Sequence, residues 1–170
     1  RGKKAQEEEG EEEVTAETPR ETGKNRYSLA VGFGTAMIDE LIDDGGLSTS
    51  ISLGGSPYRS LYWRSTYISA FGKKDSQPMA FDNLFVATGY QLNLGKIFKL
   101  KAGGGLGFLY LTADDQNDWD PFLGWETSLD ANFYKRFWLG FRYTEVYGIK
   151  QIRDYYYIMS EPSLQLTFYF

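Results

Sequence analysis

From Tyr27 onward, apolar and polar positions alternate with a period of two, in segments separated by turn-forming residues. Such a period is that of strands with one apolar face, and the pattern predicts eight of them. The first, Tyr27 to Thr35, sets Tyr27, Leu29, Val31 and Phe33 against Ser28, Ala30, Gly32 and Gly34. The second runs from about Leu47 to Leu53. The next five cover Tyr58 to Phe71, Asp82 to Leu94, Ile97 to Thr112, Phe122 to Phe133, and Phe137 to Tyr147. The last, Ser163 to Phe170, sets Leu164, Leu166, Phe168 and Phe170 against Ser163, Gln165, Thr167 and Tyr169. A long terminal strand with one greasy face needs both a neighbour along its edge and an apolar cover.

The connections alternate in length. Short turns are expected near Gly54 to Pro57, at Gly95-Lys96 and at Tyr134 to Arg136, and longer links at Met37 to Gly46, Gly72 to Ala80, Ala113 to Pro121 and Gln151 to Ile158. An even number of antiparallel strands, with short turns on one rim and long loops on the other, is the layout of a transmembrane barrel. Closure would pair the last strand with the first and put both ends of the barrel on the short-turn rim.

Charge decides which face points outward. Arg64, Lys99, Lys101, Glu126, Asp130 and Arg142 all fall opposite the apolar faces. A basic residue facing lipid at the bilayer midplane costs roughly 2–4 kcal/mol, so the apolar faces are assigned to lipid and the six charges to the lumen. Arg142 is expected beside Glu126 and Asp130 across the hairpin of strands six and seven, with Lys101 reaching Asp130 from strand five. Arg59, Asp82 and Glu145 share the apolar parity, at positions where the lipid-facing band should give way to its interfaces. An eight-stranded barrel is just wide enough for its own side chains, so the charges read as a paired structural core; a gated ion path is the weaker alternative.

Composition narrows the function classes. The net charge of −5 opposes nucleic-acid binding, and without Cys or His neither a Ser-His nor a Cys-His nucleophile can be built. Residues 1–26 carry six basic and eight acidic side chains and no apolar periodicity, which predicts a disordered, charged tail. The run Gly103-Gly104-Gly105-Leu106-Gly107 lacks the Lys-Ser/Thr ending of a phosphate loop; its inward glycines read instead as space for bulky neighbours. Asp114, Asp115, Asp118 and Asp120 offer oxygen ligands in one link, but without the glycine and glutamate of an EF-hand loop they read first as a solvated acidic loop. Ile38, Leu41 and Ile42 at helical spacing suggest an amphipathic turn over the barrel mouth.

The eight strands, the alternating link lengths and the ending Leu164, Leu166, Phe168, Phe170 together resemble the small eight-stranded outer-membrane barrel families of the OmpA transmembrane domain and OmpX. The resemblance covers residues 27–170 and rests on architecture; Pro162 opens the terminal run and no glycine lies within it. It implies an all-β, eight-stranded antiparallel up-and-down transmembrane barrel of the Gram-negative outer membrane, with the 1–26 tail in the periplasm. It also implies contact with outer-membrane lipid and lipopolysaccharide, recognition of the terminal strand by the barrel-assembly machinery, and other envelope proteins as partners. No cofactor is implied. The expected role is non-enzymatic, as a structural anchor or accessory subunit of an envelope assembly. The alternatives are a soluble lipocalin-like carrier, which would need its apolar faces inward, and a lipid-modifying membrane enzyme.

Overall fold

The computed structural model describes residues 27–39, 44–74, 77–113, 116–150 and 157–170; the charged segment 1–26 lies outside these. Eight strands follow one another: β1 (Tyr27–Ile38), β2 (Asp44–Tyr58), β3 (Leu61–Lys74), β4 (Gln77–Leu94), β5 (Phe98–Ala113), β6 (Gln116–Tyr134), β7 (Phe137–Gly148) and β8 (Ile158–Tyr169). They close into one antiparallel barrel in sequence order. As the terminal alternation requires, β8 closes against β1, with Leu29 opposite Phe168, Val31 opposite Leu166 and Phe33 opposite Leu164. Phe170 continues the seam by exchanging backbone hydrogen bonds with Tyr27 and stacking on its ring.

The faces divide as the charges predict. Leu29, Phe33, Ile51, Leu100, Leu129, Phe141 and Leu164 stand on the outer wall, whereas Arg64, Lys101, Glu126, Asp130 and Arg142 are buried inside. Outer apolar side chains of this density must be covered by lipid or another apolar phase. A soluble carrier would have the opposite arrangement.

Two features differ from the sequence reading. The first turn lies at Arg59-Ser60, between Tyr58 and Leu61, because Gly54 and Gly55 remain paired with Arg64 and Trp63. The Gly-Gly-Ser-Pro run marks instead a register shift between Gly55 and Tyr58. More consequentially, much of the expected long links is strand. Lys74 pairs with Gln77 and Ala113 with Gln116, so β4 and β6 reach 18 and 19 residues. The proposed mouth-capping turn likewise begins as strand through Ile38, which is buried inside; Leu41 and Ile42 lie outside the described residues.

The longer strands overshoot the apolar band of a membrane. At about 3.3 Å per residue, an 18-residue strand is roughly 60 Å long and, tilted by about 40°, rises roughly 45 Å, against an apolar band about 25 Å tall. Twelve-residue β1, β7 and β8 rise only roughly 30 Å by the same reasoning. Toward the far rim an apolar core lies inside the barrel, and it begins within the band, where Leu84, Val86, Phe108 and Leu123 still face outward. Ile38, Ile68, Met79, Phe81, Phe85, Leu109, Leu111, Phe122, Val146 and Met159 form that core as one buried cluster at the rim opposite the barrel's ends. Ring contact between Phe85 and Phe122, with centroids 5.8 Å apart, ties β4 to β6 across it.

Candidate functional site

The lumen is built in two layers. Nearest the short turns, Lys101 Nζ lies 3.0 Å from Asp130 Oδ2 and donates to the Tyr169 hydroxyl at 2.8 Å. Lys99 Nζ sits over the rings of Tyr169 and Trp138, 3.9 and 4.4 Å from their centroids. Farther in, Arg64 Nη1 is 3.5 Å from Glu126 Oε1, and Arg64 Nη2 is 3.5 Å from the Ser128 hydroxyl. Above this charged layer sits the apolar cluster, with Asn83 and Asp120 as buried polar residues beside it.

Arg142 is the hub of the polar layer and is fully buried. Its Nη2 donates to Glu161 Oε2 at 2.7 Å and to the Ser50 hydroxyl at 3.1 Å. Nη1 donates to the hydroxyls of Ser52 and Thr66, both at 3.3 Å. With its amide oxygen turned toward the guanidinium, Gln165 accepts from Nε at 2.7 Å. Ser48 completes the carboxylate's environment by donating to Glu161 Oε1 at 3.2 Å. One side chain of β7 thereby ties together β2, β3 and β8 across the lumen.

This arrangement corrects the expected partner of Arg142. Register sets Arg142 opposite Ser128 on β6 and Ser163 on β8, and its guanidinium turns toward β8 and β2. Glu126 and Asp130 are met instead by Arg64 and Lys101, the second as expected. Gly140, paired with Asp130, leaves room for the Asp130 carboxylate where a Cβ would collide with it. Glu161 escaped the sequence reading because it precedes Pro162 and fell outside the assigned terminal strand. Its parity with Ser163, Gln165, Thr167 and Tyr169 was the available signal.

The glycine run serves packing. A Cβ on Gly103 would stand 2.6 Å from the Tyr62 hydroxyl, and one on Gly107 would stand 2.5 Å from Phe122 Cζ. Of the acidic-loop candidates, Asp114 and Asp115 lie outside the described residues. Asp118 Oδ1 accepts from the Trp119 amide at 2.8 Å, and buried Asp120 accepts from the Lys150 amide at 2.8 Å through Oδ1. That second bond fastens the start of the β7–β8 link to β6. Among the described residues, no three acidic side chains gather as metal ligands would.

The two outward acids are both held by phenols. Tyr67 donates to Asp82 Oδ1 at 2.6 Å. Glu145 accepts from Tyr143 at 2.7 Å on Oε2 and from Tyr147 on Oε1, and the Tyr143 hydroxyl lies 3.2 Å from that of Ser160. The predicted assembly residues Leu164, Leu166, Phe168 and Phe170 occupy the outward parity of the closing seam.

No protein-family model matches the chain, and no curated protein matches it. Solved structures do. Neisserial surface protein A shares 17% identity at a TM-score of 0.73, over 85% of this chain and 97% of that one. Ail, the attachment invasion locus protein of Yersinia pestis, in complex with the heparin analogue sucrose octasulfate, shares 12% at 0.61, over 86% and 99%. The N-terminal β-barrel domain of Pseudomonas aeruginosa OprF shares 13% at 0.56, over 86% and 100%. The fold of residues 27–170 is thus that of the small eight-stranded outer-membrane barrels.

Proposed function

We propose that the chain is a plugged, non-enzymatic anchor in the bacterial outer membrane, holding its 1–26 segment on the periplasmic side and carrying its strand extension outside. The observation that carries this reading is the filled lumen: an ion-paired layer below and an apolar cluster above. An ion entering the charged layer would meet Phe81, Phe85, Leu109 and Phe122 before reaching the far rim. Dehydrating it there costs far more than thermal energy.

The outer wall supports contact with lipid and lipopolysaccharide, and the Leu164, Leu166, Phe168, Phe170 alternation suits recognition by the barrel-assembly machinery. An accessory role is supported by the extension of β4 to β6, whose far end is available to other envelope proteins.

Reconstitution in planar bilayers tests the plugged state, and protease digestion of intact and permeabilised cells tests the orientation. The anchor reading predicts no stable conductance steps, and cleavage within 1–26 only after permeabilisation. Stable ohmic steps, or cleavage of that segment in intact cells, would overturn it.

A further inference from the structure

Glu145 points out of the barrel within a largely apolar stretch of wall. In its own row stand Trp125 on β6 and Ser160 on β8, paired directly across from it. The row above holds Leu123, Tyr147 and Ile158, and two rows below stand Leu129, Phe141 and Leu164. An ionised carboxylate at such a place is costly unless it finds a partner. Tyr143 and Tyr147 both donate to Glu145. Among the described residues, the ion pairs are the three inside the lumen, and none includes Glu145. Among the described residues the wall therefore gives Glu145 hydrogen-bond donors and no ion-pair partner.

Aromatic faces surround the same carboxylate. Trp125 and Tyr143 are in ring contact, with centroids 5.3 Å apart and planes tilted by 45°. Tyr147 flanks them, and Trp125 and Tyr147 are 40% and 42% exposed. Aromatic faces attract cations, indole most strongly, and a carboxylate adds a full negative charge beside them. The same group repels phosphate. A neutral acyl chain would cover the rings and leave the carboxylate unmatched.

We propose that the outer wall of β6–β8 carries a lipid-headgroup site, in which Glu145, Trp125, Tyr143 and Tyr147 take the ammonium group of an amine-bearing lipid. Its shape also explains the phenol pair: two hydroxyl donors aim the carboxylate while their rings supply the cation's remaining surroundings. The inference rests on the membrane placement proposed above.

Native mass spectrometry of the full chain, released from nanodiscs containing equal phosphatidylethanolamine and phosphatidylglycerol, tests it. Wild type should retain phosphatidylethanolamine preferentially, Glu145→Gln should reduce that preference by about fivefold, and Tyr147→Phe should reduce it less. A heat-dependent shift in gel mobility, measured on each variant, shows separately that the barrel has folded. Equal retention of the two lipids by the folded wild type, or an unchanged preference in folded Glu145→Gln, overturns the site while leaving membrane placement intact. Loss of the wild-type preference on adding EDTA also overturns it, since a bridging divalent ion would then be the ligand. Failure of wild type to enter nanodiscs at all would instead overturn the membrane placement.

Discussion

Arg142 shows how much one buried side chain can bind together. Its bonds to Glu161, Ser50, Ser52 and Thr66 join strands far apart in sequence. Removing one member of a buried ion pair leaves the other uncompensated, typically at about 3–5 kcal/mol, whereas replacing both is often close to neutral. Arg142→Met should therefore lower stability by about that amount, and Glu161→Gln added to it should recover more than half. Urea unfolding in lipid vesicles measures both; a harmless Arg142→Met would contradict the assignment. The glycine run makes a second residue-scale case. Gly107→Val drives a side chain into Phe122 and the Leu84 carbonyl, while outward Gly104 has only the Gly124 carbonyl within 4 Å of an added Cβ, at 3.4 Å. Overpacking predicts a loss of about 1–3 kcal/mol for Gly107→Val and little change for Gly104→Ala in the same assay.

At the scale of the strand, what the sequence made legible follows from which solvent each stretch faces. Inside the band, lipid outside and polar groups within give a clean alternation, so β1, β7 and the seam half of β8 could be read nearly to their ends. Toward the far rim the inner face turns apolar as well, while Phe108 and Tyr110 still face outward. Phe81 and Met79 on β4 and Leu109 and Leu111 on β5 are buried there, opposite in parity to the lipid-facing residues of the same strands. A reading that follows outward apolar residues stops where they run out, which is why Met79 and Phe81 fell in or beside an expected link, whereas Leu109 and Leu111 stayed within the expected strand Ile97 to Thr112. The hint was local: Phe108-Leu109-Tyr110-Leu111 is a continuous apolar run, as expected of a strand covered on both faces. The two environments predict different tolerances: Leu166→Arg should cost about 2–4 kcal/mol, while Thr112→Arg, outward but on the extension, should stay within about 0.5 kcal/mol. Equal penalties in vesicle unfolding would remove the distinction between band and extension.

At the scale of the whole molecule, the barrel joins two opposite designs end to end. Its lower part is an apolar outer wall around a polar, ion-paired interior; in its upper part the interior is apolar, beginning with Phe85 and Phe122 at a height where Leu84, Val86 and Leu123 still face outward. The junction lets strands of 16 to 19 residues continue past the membrane without exposing their core. It also plugs the lumen, which is why an anchoring role fits better than conduction. The absence of cysteine from the sequence makes the lower half open to direct measurement, because each introduced thiol is the chain's sole labelling site. Nitroxide labels placed one at a time from Ser163→Cys to Phe168→Cys along β8 would report collision with oxygen, which concentrates in lipid, and with a water-soluble nickel chelate. Oxygen accessibility should alternate with a period of two, high at positions 164, 166 and 168 and low at 163, 165 and 167, with the chelate excluded from the outward positions. High chelate accessibility at Leu164→Cys and Leu166→Cys, or a profile without alternation, would contradict it.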